Sequence, residues 1–208
     1  NCCNIILINL YYIMALTKTP VCDFGKKAED FRLKSINKKA LPFELKSTDN
    51  KIISLNDIKG ENGTLIMFIC NHCPYVKAVT KDIVSDCEEL KNIGINSVAI
   101  CSNDSINYPE DSFENMIKFS IDNKFNFPYL IDETQEIAKA YDAVCTPDFF
   151  GYNKNLELQY RGRMRELKNL IPVRDGESDL HKAMKLISET GHGPKDQNPS
   201  AGCGIKWK

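Results

Sequence analysis

The stretch TLIMFICNHCPYV, residues 64–76, constrains the fold more than any other part of the chain. Thr64–Ile69 runs apolar for the length of one strand, the pattern of a strand buried on both faces. Cys70 and Cys73 follow at once. Pro74 then opens a segment in which Val76, Val79, Ile83, Cys87 and Leu90 recur at helical spacing. A proline suits the first helical turn, where its missing N–H loses nothing. A buried strand therefore ends, a helix over 73–91 begins, and a Cys-x-x-Cys pair occupies the joint.

The rest of the chain repeats this alternation. Ile95–Cys101 reads as a second buried strand after the Gly94 turn. Asp111, with Glu114 three residues on, reads as a capping box for a helix that buries Phe113, Met116, Ile117 and Ile121. Phe127–Ile131 is a short strand, and Asp132 with Gln135 caps a helix reaching about Tyr141. Pro147–Tyr152 and Leu156–Tyr160 flank Asn153-Lys154-Asn155 as a β-hairpin. Asp179–Glu189 is the last amphipathic helix, closed by Gly191. Before the first buried strand lie two short strand-like pieces, Phe43–Leu45 and Lys51–Leu55. Strands alternating with helices imply parallel pairing, and the hairpin adds an antiparallel element. The expected fold class is α/β, a central mixed β-sheet flanked by helices.

Three segments follow from this reading: residues 1–20 as a leader or disordered tail, 21–190 as the domain, and 191–208 as a tail packing on it. Residues 5–16 have the length of an export signal's apolar run. They lack a preceding basic region and a clean small-residue cleavage site, and are too short to span a bilayer. Met14 reads as the true start, with residues 1–13 upstream or misassigned; a genuine signal, and an exported form, is the alternative. A net charge of −1 supplies no basic field for nucleic acid or an acidic membrane, so neither is expected as a partner. Nine cysteines, an odd number with several inside apolar runs, do not make a secreted disulfide scaffold. A reduced compartment, the cytoplasm, with one chemically active pair is expected.

Open N–H groups and the positive dipole end at a helix start stabilise a thiolate. Such sites lower a thiol pKa from about 8.5 into the range of about 3.5–7.5. Cys70, outside the helix, is expected to be the more exposed thiol and the nucleophile, with Cys73 resolving the mixed disulfide. His72, when protonated, adds positive charge beside the pair. Two other readings remain. A structural disulfide over so short a loop would stabilise little. A zinc site, and with it a metal-binding or metal-delivery protein, needs about four ligands, and no second Cys-x-x-Cys or His-x-x-x-His supplies them. No organic cofactor is required, and no metal ligand is assigned. Cys22, Cys87 and Cys101 read as core or incidental thiols, and Cys2 and Cys3 belong to the leader. His181 and His192 read as solvated, and Arg161, Arg163 and Arg165 as a solvated strand edge.

Taken together, FICNHCPYVK (68–77), CTPDFF (145–150), YRGR (160–163) and GCGIKW (202–207) resemble the peroxiredoxin-like thioredoxin family proteins of the AhpC/TSA–redoxin group. The resemblance spans roughly residues 25–207. It implies a thioredoxin-like fold with an N-terminal extension and a βα insertion. It also implies a cis proline at Pro147 facing the cysteine pair, with Thr146 offering backbone groups to a substrate chain. It places Cys145 near Cys70, as an exchanging thiol or a buried hydrophobe, and suggests that Cys203 docks on the domain. The implied partners are a disulfide-bearing protein, small disulfide or peroxide, and an external thiol reductant. Typical peroxiredoxins carry Pro and Thr seven and three residues before the reactive cysteine; Gly63 and Met67 stand there instead. Where thioredoxins carry a buried acid, six residues before Cys70, this chain has Thr64. These departures favour thiol–disulfide exchange over peroxide reduction, with the peroxidase kept as the alternative.

Overall fold

The computed structural model describes residues 16–18 and 38–208, so Cys2, Cys3, Cys22 and Met14 lie outside it. The centre is a seven-stranded sheet in the order β3-β2-β6-β5-β4-β8-β9. Its strands are β2 (Glu44–Ser47), β3 (Ile52–Ser54), β4 (Gly63–Phe68), β5 (Ile95–Cys101), β6 (Tyr129–Ile131), β8 (Asp148–Asn153) and β9 (Leu158–Gly162). Strands β4, β5 and β6 run parallel, and β8 joins β4 antiparallel. A second, three-stranded sheet joins β1 (Leu16–Lys18), β12 (Ala201–Gly204) and β7 (Cys145–Thr146), with β12 in the middle. Two-residue strands β10 (Leu167–Lys168) and β11 (Ile171–Pro172) pair with each other.

Strand β4 is buried along its whole length because both of its faces are covered. Leu65, Met67 and Ile69 join one core cluster with α1 (Pro74–Asn92) and α4 (Asp179–Thr190). Ile66 and Phe68 point the other way, into a cluster with Ala138 of α3 (Glu136–Ala140), Tyr141, Phe150 and Tyr152. The period-2 alternation of a strand thus feeds two cores at once. Helix α1 buries Val76, Val79, Ile83, Cys87 and Leu90, the face its sequence predicts. Each such aliphatic side chain contributes about 1.5–3 kcal/mol on burial, which fixes the helix start, and the cysteine pair with it, against the end of β4.

Most expected elements stand within a few residues of their places, and Gly191 closes α4 with a left-handed φ of 76°. Helix α2 (Phe113–Asp122) is the exception in detail. Ser112, not Asp111, is its cap, accepting from the Asn115 N–H, and Ile121 is exposed rather than buried. The supposed arginine edge is also corrected. Arg161 is buried and pairs with Asp148 at 2.9 Å, while Arg165 meets Asp82 at 3.2 Å. The alternation carried these side chains inward, where carboxylates meet them, instead of into solvent. His181 is likewise buried, between Glu89 at 3.2 Å and Glu177 at 3.4 Å. Among the described residues no helix is long and apolar enough to cross a membrane.

Candidate active site

The loop between β4 and α1 carries the two cysteines and is fixed from outside itself. Asn71 donates from its backbone N–H to Asp111 Oδ1 at 2.8 Å and from Nδ2 to the Glu110 carbonyl at 2.9 Å. Its Oδ1 accepts the buried Tyr129 hydroxyl at 3.0 Å. The His72 backbone N–H reaches the same Asp111 oxygen at 3.3 Å, and His72 Nδ1 meets Asp111 Oδ2 at 2.7 Å. Asn103 Nδ2 completes the set with a 2.7 Å bond to Oδ2. A carboxylate with no exposed surface is thereby satisfied by four donors. The hydrogen bond to Asp111, opposed by burial, raises the pKa of His72, so the imidazolium is favoured beside the cysteines. Its ring stacks on Tyr108 at 5.9 Å.

Asp111 is the residue that sequence reading misplaced. Its acid–x–x–acid spacing imitates a capping box, but Ser112 takes that work and frees the carboxylate to turn inward. The signal available was the serine, an equally good cap one position on.

Across the loop stands the Thr146–Pro147 bond, which is cis as the resemblance implied. The hydroxyl of Thr146 lies 3.2 Å from Cys70 Sγ, and Cys73 Sγ lies 3.0 Å from the Thr146 carbonyl. The Thr146-Pro147 corner is braced from behind by Asp148, which accepts from Arg161 and from the Val144 N–H. Cys145 is buried with its thiol on the Pro147 carbonyl at 3.5 Å, and burial holds its pKa well up.

The expected difference in exposure between Cys70 and Cys73 is absent, because both are fully buried. Strand β12 pairs antiparallel with β7, placing Cys203 opposite Thr146 and Gly204 opposite Cys145. It covers the edge beside the dithiol, and Cys203 joins the same core cluster as Cys70 and Cys73. The pair holds its charge unevenly. Burial works against a thiolate on Cys73, but the Cys203 and Cys70 thiols and the N–H groups of Val76 and Cys203 outweigh it, drawing the pKa down to about 2. Burial first, then the neighbouring Cys73, holds Cys70 well above the ordinary thiol value. Cys101 and Cys87 are each pushed up to about 12 by burial and remain inert thiols.

Ligand atoms of Cys70, His72 and Asp111 lie within 4.8 Å of one another. Both Asp111 oxygens and His72 Nδ1 are already engaged in the hydrogen bonds above, so this cluster reads as an ion-pair network beside the dithiol.

The AhpC/TSA family model matches residues 36–166. This chain belongs to the AhpC/TSA family. An uncharacterized conserved protein from Geobacillus kaustophilus is 43% identical over 83% of this chain and 92% of its own, with a TM-score of 0.79. A hypothetical protein from Sinorhizobium meliloti 1021 is 31% identical over 83% and 94%, at 0.77. The peroxidoxin BcpB of Mycobacterium tuberculosis shares the fold at 13% identity, covering 74% and 95%, at 0.54. No functionally curated protein matches. The member of the family described by this structure is thioredoxin-like, with a mixed sheet and flanking helices.

Proposed function

We propose that this AhpC/TSA protein is a thiol–disulfide oxidoreductase working through Cys70 and Cys73. The observation that carries the reading is the meeting of both sulfurs with the Thr146 side chain and carbonyl at the cis Pro147 corner. In the reductive direction Cys70 attacks one sulfur of a substrate disulfide. A Cys70–substrate disulfide forms as the substrate S–S bond breaks, and the proton of Cys70 passes to the departing substrate thiolate. The Cys73 thiolate then attacks Cys70, closing the Cys70–Cys73 disulfide and releasing the second half of the substrate as a thiolate, which takes its proton from water. An external thiol reductant restores the pair by the reverse exchange. Gly63 and Met67 stand where typical peroxiredoxins carry the Pro and Thr that shape a peroxide site, which keeps disulfides ahead of peroxides as substrates.

The test is a glutathione redox titration of the whole chain with Cys70→Ser as control. A single two-electron transition, lost in the variant, is expected. A protein in which Cys70 and Cys73 never pair, whatever the poise, overturns the assignment.

A further inference from the structure

The C-terminal strand sits where an incoming substrate chain is expected. Its backbone lies antiparallel on Cys145–Thr146, the edge that the resemblance assigns to substrate, and Cys203 faces Thr146 in register. Several anchors hold it there. Ser200 Oγ donates to the Pro147 carbonyl at 2.6 Å, and Ile205 N–H to the Val144 carbonyl at 3.2 Å. Lys206 N–H donates to Asn103 Oδ1 at 2.9 Å, the same asparagine that binds Asp111. Gly202 fits so closely that an added Cβ would stand 2.1 Å from the Thr146 carbonyl oxygen. The Cys203 side chain is thus held over the dithiol by the backbone of its own chain. Cys203 is 7% exposed, whereas Cys70 and Cys73 are at 0%, so of these three residues it is the one with surface in contact with solvent.

We infer that Cys203 is a third redox cysteine, which exchanges with Cys73 and carries the disulfide from the buried pair toward the surface. This rests on the oxidoreductase reading above. In the exchange Cys203 attacks Cys73 of the Cys70–Cys73 disulfide. The Cys73–Cys203 bond forms, the Cys70–Cys73 bond breaks, and the proton leaving Cys203 ends on Cys70. One disulfide replaces another, so no outside oxidant or reductant is consumed. The interaction of the Cys203 side chain with Cys73, which raises the pKa of Cys203, is consistent with sulfurs in contact. The external thiol reductant then meets Cys203 rather than the sealed pair.

Trypsin separates residues 60–77, carrying Cys70 and Cys73, from residues 196–206, carrying Cys203. The experiment equilibrates wild type, Cys70→Ser and Cys203→Ser in glutathione buffers, traps free thiols with N-ethylmaleimide at low pH, and maps non-reduced peptides by mass spectrometry. In Cys70→Ser a 60–77/196–206 cross-link through Cys73 is expected in most molecules at a poise that oxidises wild type. Wild type should show the same link at intermediate poise, and Cys203→Ser should not. If wild type forms the Cys70–Cys73 disulfide and neither it nor a folded Cys70→Ser shows the cross-link, the relay is wrong and the oxidoreductase reading survives. If wild type forms no Cys70–Cys73 disulfide, both fall together. Should Cys70→Ser not fold, the wild-type map alone decides.

Discussion

Asp111 brings a buried carboxylate within 4.8 Å of the Cys70 sulfur, whereas the sequence position where thioredoxins carry an acid holds Thr64. Thr64 itself only accepts the Gly60 N–H, at 3.2 Å. Removing the carboxylate in Asp111→Ala strands the Asn71 N–H and Asn103 Nδ2 and separates His72 from its counter-charge. The expected cost is about 2–4 kcal/mol, read from urea denaturation midpoints. The pH dependence has a defined sign. The folded-state pKa of His72 is raised, so its ion pair stabilises fully below the unfolded imidazole value of about 6.5 and is lost as pH rises through the folded value. The stability gap between wild type and His72→Gln should therefore shrink from pH 6 toward alkaline pH. A gap that is constant or grows across that range would show that the imidazolium is not the stabilising species.

At the scale of elements, the hairpin and the corner before it depend on one buried ion pair. Arg161 in β9 reaches across to Asp148 in β8 and to the Asp142 carbonyl, and its guanidinium lies 4.5 Å from the Phe150 ring. Because both partners are buried, removing one leaves an uncompensated charge. Asp148→Ala is expected to cost about 3–5 kcal/mol and to loosen the Val144–Pro147 corner. A paired replacement, Asp148→Leu with Arg161→Met, should recover much of that stability without restoring the brace on the Val144 N–H. Denaturation of the single and double variants measures the first effect, and amide exchange at Val144 the second. An Asp148→Ala variant as stable as wild type would mean that solvent reaches Arg161.

Over the whole molecule, the seal on the dithiol is expected to lie in the C-terminal strand β12, paired with β7. Gly202→Val drives a side chain into the Thr146 carbonyl and should lift β12 from β7, taking Cys203 and Ile205 from the edges of the two core clusters while the strands and helices that form the rest of them stay in place. Alkylation of Cys70 and Cys73 by iodoacetamide should then accelerate at least tenfold under native conditions, with a far-UV spectrum unchanged. Equal rates in the two proteins would show that the tail does not seal the pair.

What the sequence alone determined is local. The apolar run, the Cys-x-x-Cys joint, the helical spacing after Pro74 and the Asn-Lys-Asn turn are each set by interactions among near neighbours. They appear within a few residues of their expected places. What the tertiary structure decided depends on residues far apart in the chain. Asp111 reaches a loop 39 to 40 positions earlier, and Arg161 turns inward because Asp148 is there to meet it. Cys203 lies on the dithiol because strand order places β12 against β7. Periodicity reports which face of an element is apolar; it carries no information about which distant carboxylate or thiol will be packed against the polar positions. The burial of both catalytic candidates follows from that packing, as does the inward turn of Asp111, and in both the local pattern had pointed the other way.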